Sequence, residues 1–332
     1  MLHASCFMTN PNVYLIKDIL KPELKPTRDG YGEGLVLAGE QNKNVVVLCA
    51  DLSESTRSQM FQKKFPERFV ELGVAEQNMA SVAAGMSLAG KIPFLSSYAV
   101  FSPGRNNEQI RTTIAYNQAN VKIAGAHAGI SVGTDGATHQ ALEDIGLMRM
   151  LPDMTVVVPC DALEARKATV AAAELEGPVY LRFAREKTPV MTTNHTPFKI
   201  GLAEVFKDGK DVAIFACGPL VHNAIVAALG LEKEGISVAV INMHTVKPLD
   251  QETILKYAQK TRAVVSVEEH QIHGGLGSAL AELLAKELPT PMEFVGVNDS
   301  FGESGQPDEL IEKFGMGAES IKRMVRRILA RK

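Results

Sequence analysis

The stretch Phe69-Val70-Glu71-Leu72-Gly73-Val74-Ala75-Glu76-Gln77-Asn78-Met79 changes its periodicity in the middle, and that change decides the fold. Phe69–Leu72, apolar apart from Glu71, reads as a short buried strand. From Ala75 to Gly90, Met79, Val82, Met86 and Leu88 lie among Ala80, Ala83, Ala84, Gly85 and Ala89, which is helical and too apolar for a solvated face. Glu76 at the helix head is therefore expected to point into something buried. An ionised, unpaired carboxylate there would cost several kcal/mol or more, so it must be hydrogen-bonded, share a proton or be protonated. The same glutamate also reads as an acid that complements the helix dipole.

Outward from this unit, strands and helices keep alternating. Val45–Cys49, Ile92–Leu95, Val121–Ala124, Thr155–Val158 and Val179–Leu181 read as strands; Gly32–Gln41, Asn106–Asn117, Gln140–Met150 and Ala162–Leu175 read as helices. Such alternation implies a parallel sheet wrapped by helices. Lys187–Ile200 turns polar and carries prolines, which reads as a linker. A second series follows, with strands Val212–Ala216, Val238–Ile241, Val264–Val267 and Met292–Val295 and helices near Pro219–Glu234, Gln251–Lys260, Leu276–Leu288 and Glu319–Ala330. The expectation is two parallel-type α/β domains, 1–190 with an N-terminal extension over about 1–24, and a smaller one over 200–332.

Composition narrows the function classes. At 332 residues, 45% apolar and 22% charged, with a net charge of -3, the chain reads as a globular protein whose main partner is neither nucleic acid nor an anionic membrane. The basic C-terminal residues Lys322, Arg323, Arg326, Arg327, Arg331 and Lys332 read as a solvated helix face. Cys6, Cys49, Cys160 and Cys217 form no CxxC pair, which suits reduced thiols; Met1–Asn10 lacks a secretory pattern, and no apolar stretch is long enough to span a bilayer. These readings place the chain in the cytoplasm.

Two segments gather groups capable of chemistry. Ser96-Ser97-Tyr98-Ala99-Val100-Phe101-Ser102-Pro103-Gly104-Arg105 follows a strand, where open α/β sheets bind ligands; Tyr98 or Phe101 could stack on a flat heterocycle or simply fill the core. Ala126-His127-Ala128-Gly129-Ile130-Ser131-Val132-Gly133-Thr134-Asp135-Gly136-Ala137-Thr138-His139-Gln140 puts two imidazoles and an acid in a glycine-rich loop. Imidazoles can move protons near neutral pH or bind hydroxyls, and their spacing matches no standard zinc pattern.

Three blocks in order, Gly73-Val74-Ala75-Glu76-Gln77, His127 through Gly136-Ala137-Thr138-His139-Gln140, and Leu181-Arg182-Phe183-Ala184-Arg185, make the chain resemble the C-terminal half of a transketolase over nearly its whole length. The resemblance implies a pyrimidine-binding domain and a C-terminal domain of an enzyme that uses thiamine diphosphate. It assigns Glu76 to the ring nitrogen of the aminopyrimidine, where it favours the imino tautomer that takes the proton from thiazolium C2. It makes Phe101 the stacking partner with Tyr98 as a second wall, and Leu52 the apolar wedge that keeps the cofactor bent. His127, Asp135 and His139 would bind sugar hydroxyls and shuttle protons, while Arg185, Arg28 and Ser55 would hold the substrate phosphate. Guanidinium suits phosphate through paired donors and permanent charge. Surface placement of Arg28 and a helix-capping role for Ser55 are the structural alternatives.

The family holds the cofactor's diphosphate through a divalent metal and a Gly-Asp-Gly motif in its N-terminal domain, and no Gly-Asp-Gly occurs here. The resemblance thus implies a separately encoded N-terminal subunit that holds Mg2+ or Ca2+, two copies of each chain, sugar phosphate substrates of the pentose phosphate pathway, and no metal site in this chain. The small-residue helix Ala75–Gly90 would allow close subunit approach. Gly274-Gly275-Leu276-Gly277-Ser278 reads as a tight loop into a helix rather than a phosphate cradle, and Gly30-Tyr31-Gly32-Glu33-Gly34 as a flexible helix start without a preceding strand. Alternative expectations are 1-deoxyxylulose 5-phosphate synthase, the beta subunit of a 2-oxo acid dehydrogenase, or a non-catalytic assembly protein of the same fold. His127 and Thr138-His139-Gln140 favour transketolase, since a second histidine for sugar hydroxyls has less purpose with a 2-oxo acid.

Overall fold

A computed structural model describes residues 13–332; Cys6 and the Met1–Asn10 reading lie outside the described residues. The first series comprises β1 (Leu24–Pro26), α1 (Thr27–Gln41), β2 (Val45–Cys49), α2 (Ser53–Thr56), α3 (Gln59–Lys64), β3 (Phe69–Glu71), α4 (Glu76–Leu88), β4 (Ile92–Tyr98), α5 (Asn107–Gln109), β5 (Lys122–Ala126), α6 (Asp144–Arg149), β6 (Thr155–Val157), α7 (Ala162–Glu174), β7 (Val179–Arg182) and β8 (Lys187–Pro189). The second comprises β9 (Glu204–Lys207), β10 (Val212–Ala216), α8 (Leu220–Glu232), β11 (Val238–Asn242), β12 (Thr245–Lys247), α9 (Gln251–Thr261), β13 (Val264–Gln271), α10 (Leu276–Glu287), β14 (Met292–Val297), α11 (Pro307–Lys313) and α12 (Ala318–Leu329). None of these helices is long and apolar enough to cross a membrane.

The α/β expectation holds in both halves. The seven-stranded sheet runs β12-β6-β7-β5-β4-β2-β3 and the five-stranded one β14-β13-β10-β11-β9, parallel except for the antiparallel edge strands β12 and β9. β2, β5 and β7 are buried throughout, which is why they read as apolar runs rather than alternating ones, with Lys122 and Arg182 the buried charges at the ends of β5 and β7.

Three local expectations need correction. β8 lies inside the segment read as linker and pairs antiparallel with β1, so Gly30–Gly34 does follow a strand. That glycine run is no flexible helix start: α1 begins at Thr27, and a Cβ at Gly30 would stand 1.9 Å from the Ala162 carbonyl oxygen of α7. Gly30 and Gly34 let the α1 and α7 backbones come into contact. The helix expected over Asn106–Asn117 is only α5, continued by a π-helical turn Ile110–Ala115, where the Thr112 and Thr113 hydroxyls bond the Glu108 and Gln109 carbonyls at 2.9 and 2.5 Å.

The two halves interlock. β12 belongs to the second series by position yet completes the first sheet, and Val158 N–H donates to the His244 carbonyl at 2.8 Å. One apolar cluster joins Ile145, Met148, Met154 and Val158 to Phe215, Cys217, Leu276 and Leu280. The glycine-rich start of α10 is filled from within: the buried Glu268 carboxylate accepts the Leu276 and Gly277 N–H groups at 2.7 and 2.8 Å.

Candidate functional site

The carboxyl ends of five parallel strands deliver nearly all the candidate residues to one edge of the first sheet. Glu71, the last residue of β3, ties two turns together by accepting Asp51 N–H at 2.7 Å and Gly73 N–H at 2.9 Å. Gly73 turns with φ +67°, and α4 starts with Glu76 facing inward, only 2% exposed. Its partner is Arg105, whose Nη1 donates to Glu76 Oε2 at 2.8 Å while the arginine remains 46% exposed. Asn106 Nδ2 donates to the Glu76 carbonyl at 3.0 Å, and its Oδ1 is buried without a partner. Glu76 is thus buried and hydrogen-bonded, as the apolar helix requires.

The rings assemble next to this acid. Tyr98 ends β4 and stacks on His127 with centroids 3.8 Å apart, and on Phe101 at 5.8 Å. His139 stands edge-on to Phe101 at 5.6 Å and to Tyr98 at 6.3 Å. The Arg105 guanidinium lies over the Phe101 ring at 4.6 Å, so one cation touches both the acid and the aromatic wall. Arg105 has no role among the sequence-based expectations, and its position four residues after Phe101 is the one signal in the sequence that points to it.

His127 follows β5 in a left-handed conformation, φ +53°, uncommon for a non-glycine residue. Arg28 Nη1 lies 3.3 Å from its Nε2 and can only donate, so Nε2 accepts and the proton sits on Nδ1, which is buried without a partner. Burial first, then Arg28, Arg185, Arg57 and His139, push the imidazole down to about 2. It is a neutral N–H donor at any physiological pH. Arg28, on α1, is half-buried rather than a surface residue; it also donates to the Ser55 carbonyl at 2.8 Å, and its Nε has no partner. Burial and Arg57 lower the Arg28 guanidinium. Ser55 lies within α2 and contributes its backbone carbonyl instead of a cap; Leu52, half-buried, precedes α2 at the same sheet edge.

Arg185, beyond β7, bonds the Val132 carbonyl at 2.7 Å and the Asp135 carboxylate at 3.2 Å. Both Arg185 and Asp135 are partly exposed, so the pair can open toward a ligand. Arg28, Arg57 and Arg185 all bear on His127, giving a positive rim around a neutral imidazole. Among the described residues no group of three or more His, Cys, Asp or Glu is arranged to hold a metal ion.

A parallel sheet whose carboxyl edge collects a buried acid, stacked rings, imidazoles and guanidinium groups defines an α/β protein with a candidate ligand site at its strand ends. Residues 24–191 match the model of the transketolase pyrimidine-binding domain, and residues 201–321 that of the transketolase C-terminal domain. A protein described as a transketolase C-terminal section in Methanocaldococcus jannaschii is 45% identical over 91% of this chain and 95% of its own length. A subunit of 6-deoxy-6-sulfo-D-fructose transketolase from Clostridium sp. (strain MSTE9) is 40% identical over 92% and 95%. A solved structure titled as a split gene transketolase, inactive beta4 tetramer, superposes with a TM-score of 0.86 at 49% identity, covering 92% of this chain and 98% of that one. The chain belongs to the transketolase family, and it is a subunit of a transketolase-type enzyme.

Proposed function

We propose that this chain, assembled with a separately encoded N-terminal subunit, transfers a two-carbon ketol unit from a ketose phosphate to an aldose phosphate. Family membership implies thiamine diphosphate. The residues fit its ring end: a buried acid with an open-sided partner, an aromatic wall, and the unpartnered Asn106 Oδ1 and His127 Nδ1 next to them. Glu76 would hold the aminopyrimidine nitrogen, Phe101 and Tyr98 the ring face, and Leu52 the bend. Bound there, the cofactor supplies the electron sink for carbon–carbon cleavage. The diphosphate and its divalent ion, Mg2+ or Ca2+, are assigned to the partner subunit.

The remaining roles follow from charge and exposure. His127, held neutral, offers its Nδ1–H to a sugar oxygen rather than acting as an acid. His139 is partly exposed and stands edge-on to both rings, so it is the better candidate for moving a proton during transfer. Asp135 takes hydroxyls, and Arg185, Arg28 and the Ser55 turn take the phosphate, for which permanent guanidinium charge is suited. Val74 and Leu88, 70% and 73% exposed at the two ends of α4, together with Tyr116 and Met150, form apolar surface that a two-plus-two assembly would cover. Three buried free thiols, Cys49, Cys160 and Cys217, suit the cytoplasm.

The observation that carries this reading is the buried Glu76 carboxylate beside the Tyr98–Phe101 wall and the arginine-rimmed His127, all on one sheet edge. The test mixes this chain with its N-terminal partner, thiamine diphosphate and magnesium and follows transfer from xylulose 5-phosphate to ribose 5-phosphate. Transfer that needs both chains is expected. Full activity of this chain alone would overturn the two-subunit reading.

A further inference from the structure

The loop that bears His127, Asp135 and His139 is not held by its own domain alone. Ser131, midway along it, donates its backbone N–H to Glu269 Oε1 at 2.6 Å, and Glu269 belongs to β13 of the C-terminal domain. The approach is close enough to dictate sequence. Gly129 has φ +92°, and a Cβ there would stand 2.3 Å from Glu269 Oε1, so only glycine leaves room for the carboxylate. Glu269 is itself fixed: Arg182 Nη2 donates to its carbonyl at 2.9 Å, while Arg182 Nε donates to Asp144 at 2.7 Å in a buried ion pair.

A second strap runs parallel to the first. The buried Gln140 amide donates to the Ile130 carbonyl at 3.0 Å on the loop and to the Glu303 carbonyl at 2.9 Å on the C-terminal domain. Gly302 lies against the Gln140 side chain, and Pro307 and Ser304 lie against Gly133 and Gly136. Within 127–140 the only regular structure is a 3₁₀ stretch, Ile130–Asp135, broken by non-helical Gly133, and three glycines take positive φ, so the segment has no continuous element of its own to define it.

We infer that the C-terminal domain serves as the template for this loop, with Glu269 a positioning residue that fixes His127 and Asp135 through the Ser131 amide. The inference rests on the ketol-transfer reading for its functional half only. Glu269 touches no reacting atom; what it sets is where the imidazole and the Asp135 carboxylate stand relative to the sugar. The cofactor-facing residues Glu76, Phe101 and Tyr98 lie on other segments and meet the loop only where His127 and His139 pack on the Tyr98 and Phe101 rings, so the latch acts more strongly on sugar binding than on cofactor binding. Burial raises the Glu269 carboxyl above its usual range, and either protonation state leaves Oε1 able to accept. A glutamine can therefore replace it, whereas an alanine cannot.

Hydrogen exchange on the full chain and kinetics on the two-subunit enzyme test this together. In Glu269→Ala, amides 129–136 are expected to exchange about tenfold or more faster, as for one lost hydrogen bond, with β10 and β11 unchanged. The assembled variant should show the sugar phosphate KM raised about tenfold with the half-saturating thiamine diphosphate concentration changed less than about twofold, and Glu269→Gln should restore the exchange rates and the KM. Should Glu269→Ala not fold, Gln140→Met removes the second strap and is read the same way. Unchanged exchange in the loop, or equal weakening of sugar and cofactor, would overturn the proposal. If the wild-type pair transfers no ketol at all, the ketol-transfer reading falls, and the exchange result still decides the latch.

Discussion

Two buried glutamates stand at two helix heads in this molecule, and they are built to opposite ends. Glu268, 1% exposed, spends both oxygens on the N–H groups of Leu276 and Gly277, so the start of α10 is closed by the protein itself. Glu76, 2% exposed, faces the half-exposed Arg105, and the same strand-end cluster holds two buried polar atoms without partners, Asn106 Oδ1 and His127 Nδ1. A glycine-rich helix start whose first two donors are satisfied by a buried carboxylate of the same chain is architecture. An acid whose partner is movable and whose neighbours are unsatisfied is a place for something else to bind.

The sharpest way to break that contrast is to make each acid neutral. Glu76→Gln keeps an acceptor for Arg105 and should leave unfolding free energy within about 1 kcal/mol, because the pair is half-solvated. Transfer by the assembled enzyme should fall about 10²- to 10⁴-fold, the range of a lost proton-handling group. Glu268→Ala should do the reverse: two orphaned N–H groups cost about 2–4 kcal/mol in denaturant unfolding, with activity per folded molecule retained. Near-normal turnover in the first variant or unchanged stability in the second would erase the distinction.

The buried imidazoles give a smaller effect with a defined sign. An unfolded histidine takes up its proton near pH 6.5, whereas burial pushes His127 down to about 2 and His244 down to about 3. As pH falls below about 6.5 the unfolded chain therefore binds more protons, and stability present at neutral pH is lost down to about pH 3. Each imidazole contributes about 1.4 kcal/mol per pH unit of that slope. Denaturant titrations at pH 6, 5 and 4 should show the slope reduced by one such increment in His244→Asn. A parallel acid limb in the variant would mean that His244 titrates normally.

How much of this could be read from residues alone divides along the same line. The strands of the first sheet were legible because burial on both faces makes β2, β5 and β7 apolar apart from Lys122 and Arg182 at strand ends. Glu76 was legible because a carboxylate heading an apolar helix has few places to go. The clustering of Tyr98, Phe101, His127 and His139 followed from their position after β4 and β5, where the parallel topology sends loops to one edge. Arg105 was not legible, since its pairing with a residue 29 positions earlier depends on the turn after β4. Nor were β1, β8 and β12, three-residue strands with prolines in or beside them, whose pairing is fixed by tertiary contact rather than by pattern. The Glu269–Ser131 latch spans 138 positions and leaves no periodic trace.

The smallest predicted effect tests whether the open acid is held in reserve. Arg105 makes the two contacts proposed for the cofactor ring: its Nη1 lies on Glu76 Oε2 at 2.8 Å and its guanidinium over Phe101 at 4.6 Å. A ring that binds both groups must displace it, and a half-exposed ion pair with a cation–π contact is worth about 1 kcal/mol. Arg105→Ala removes that competitor, and the space vacated by the half-exposed guanidinium admits water to Glu76 until a ligand arrives. The half-saturating concentration of thiamine diphosphate in the assembled enzyme should therefore fall about three- to tenfold, while the free chain loses about 1 kcal/mol of unfolding stability. If cofactor binding instead weakens in proportion to the loss of stability, Arg105 is a structural partner of Glu76 after all, and the two helix heads differ only in how much solvent reaches them.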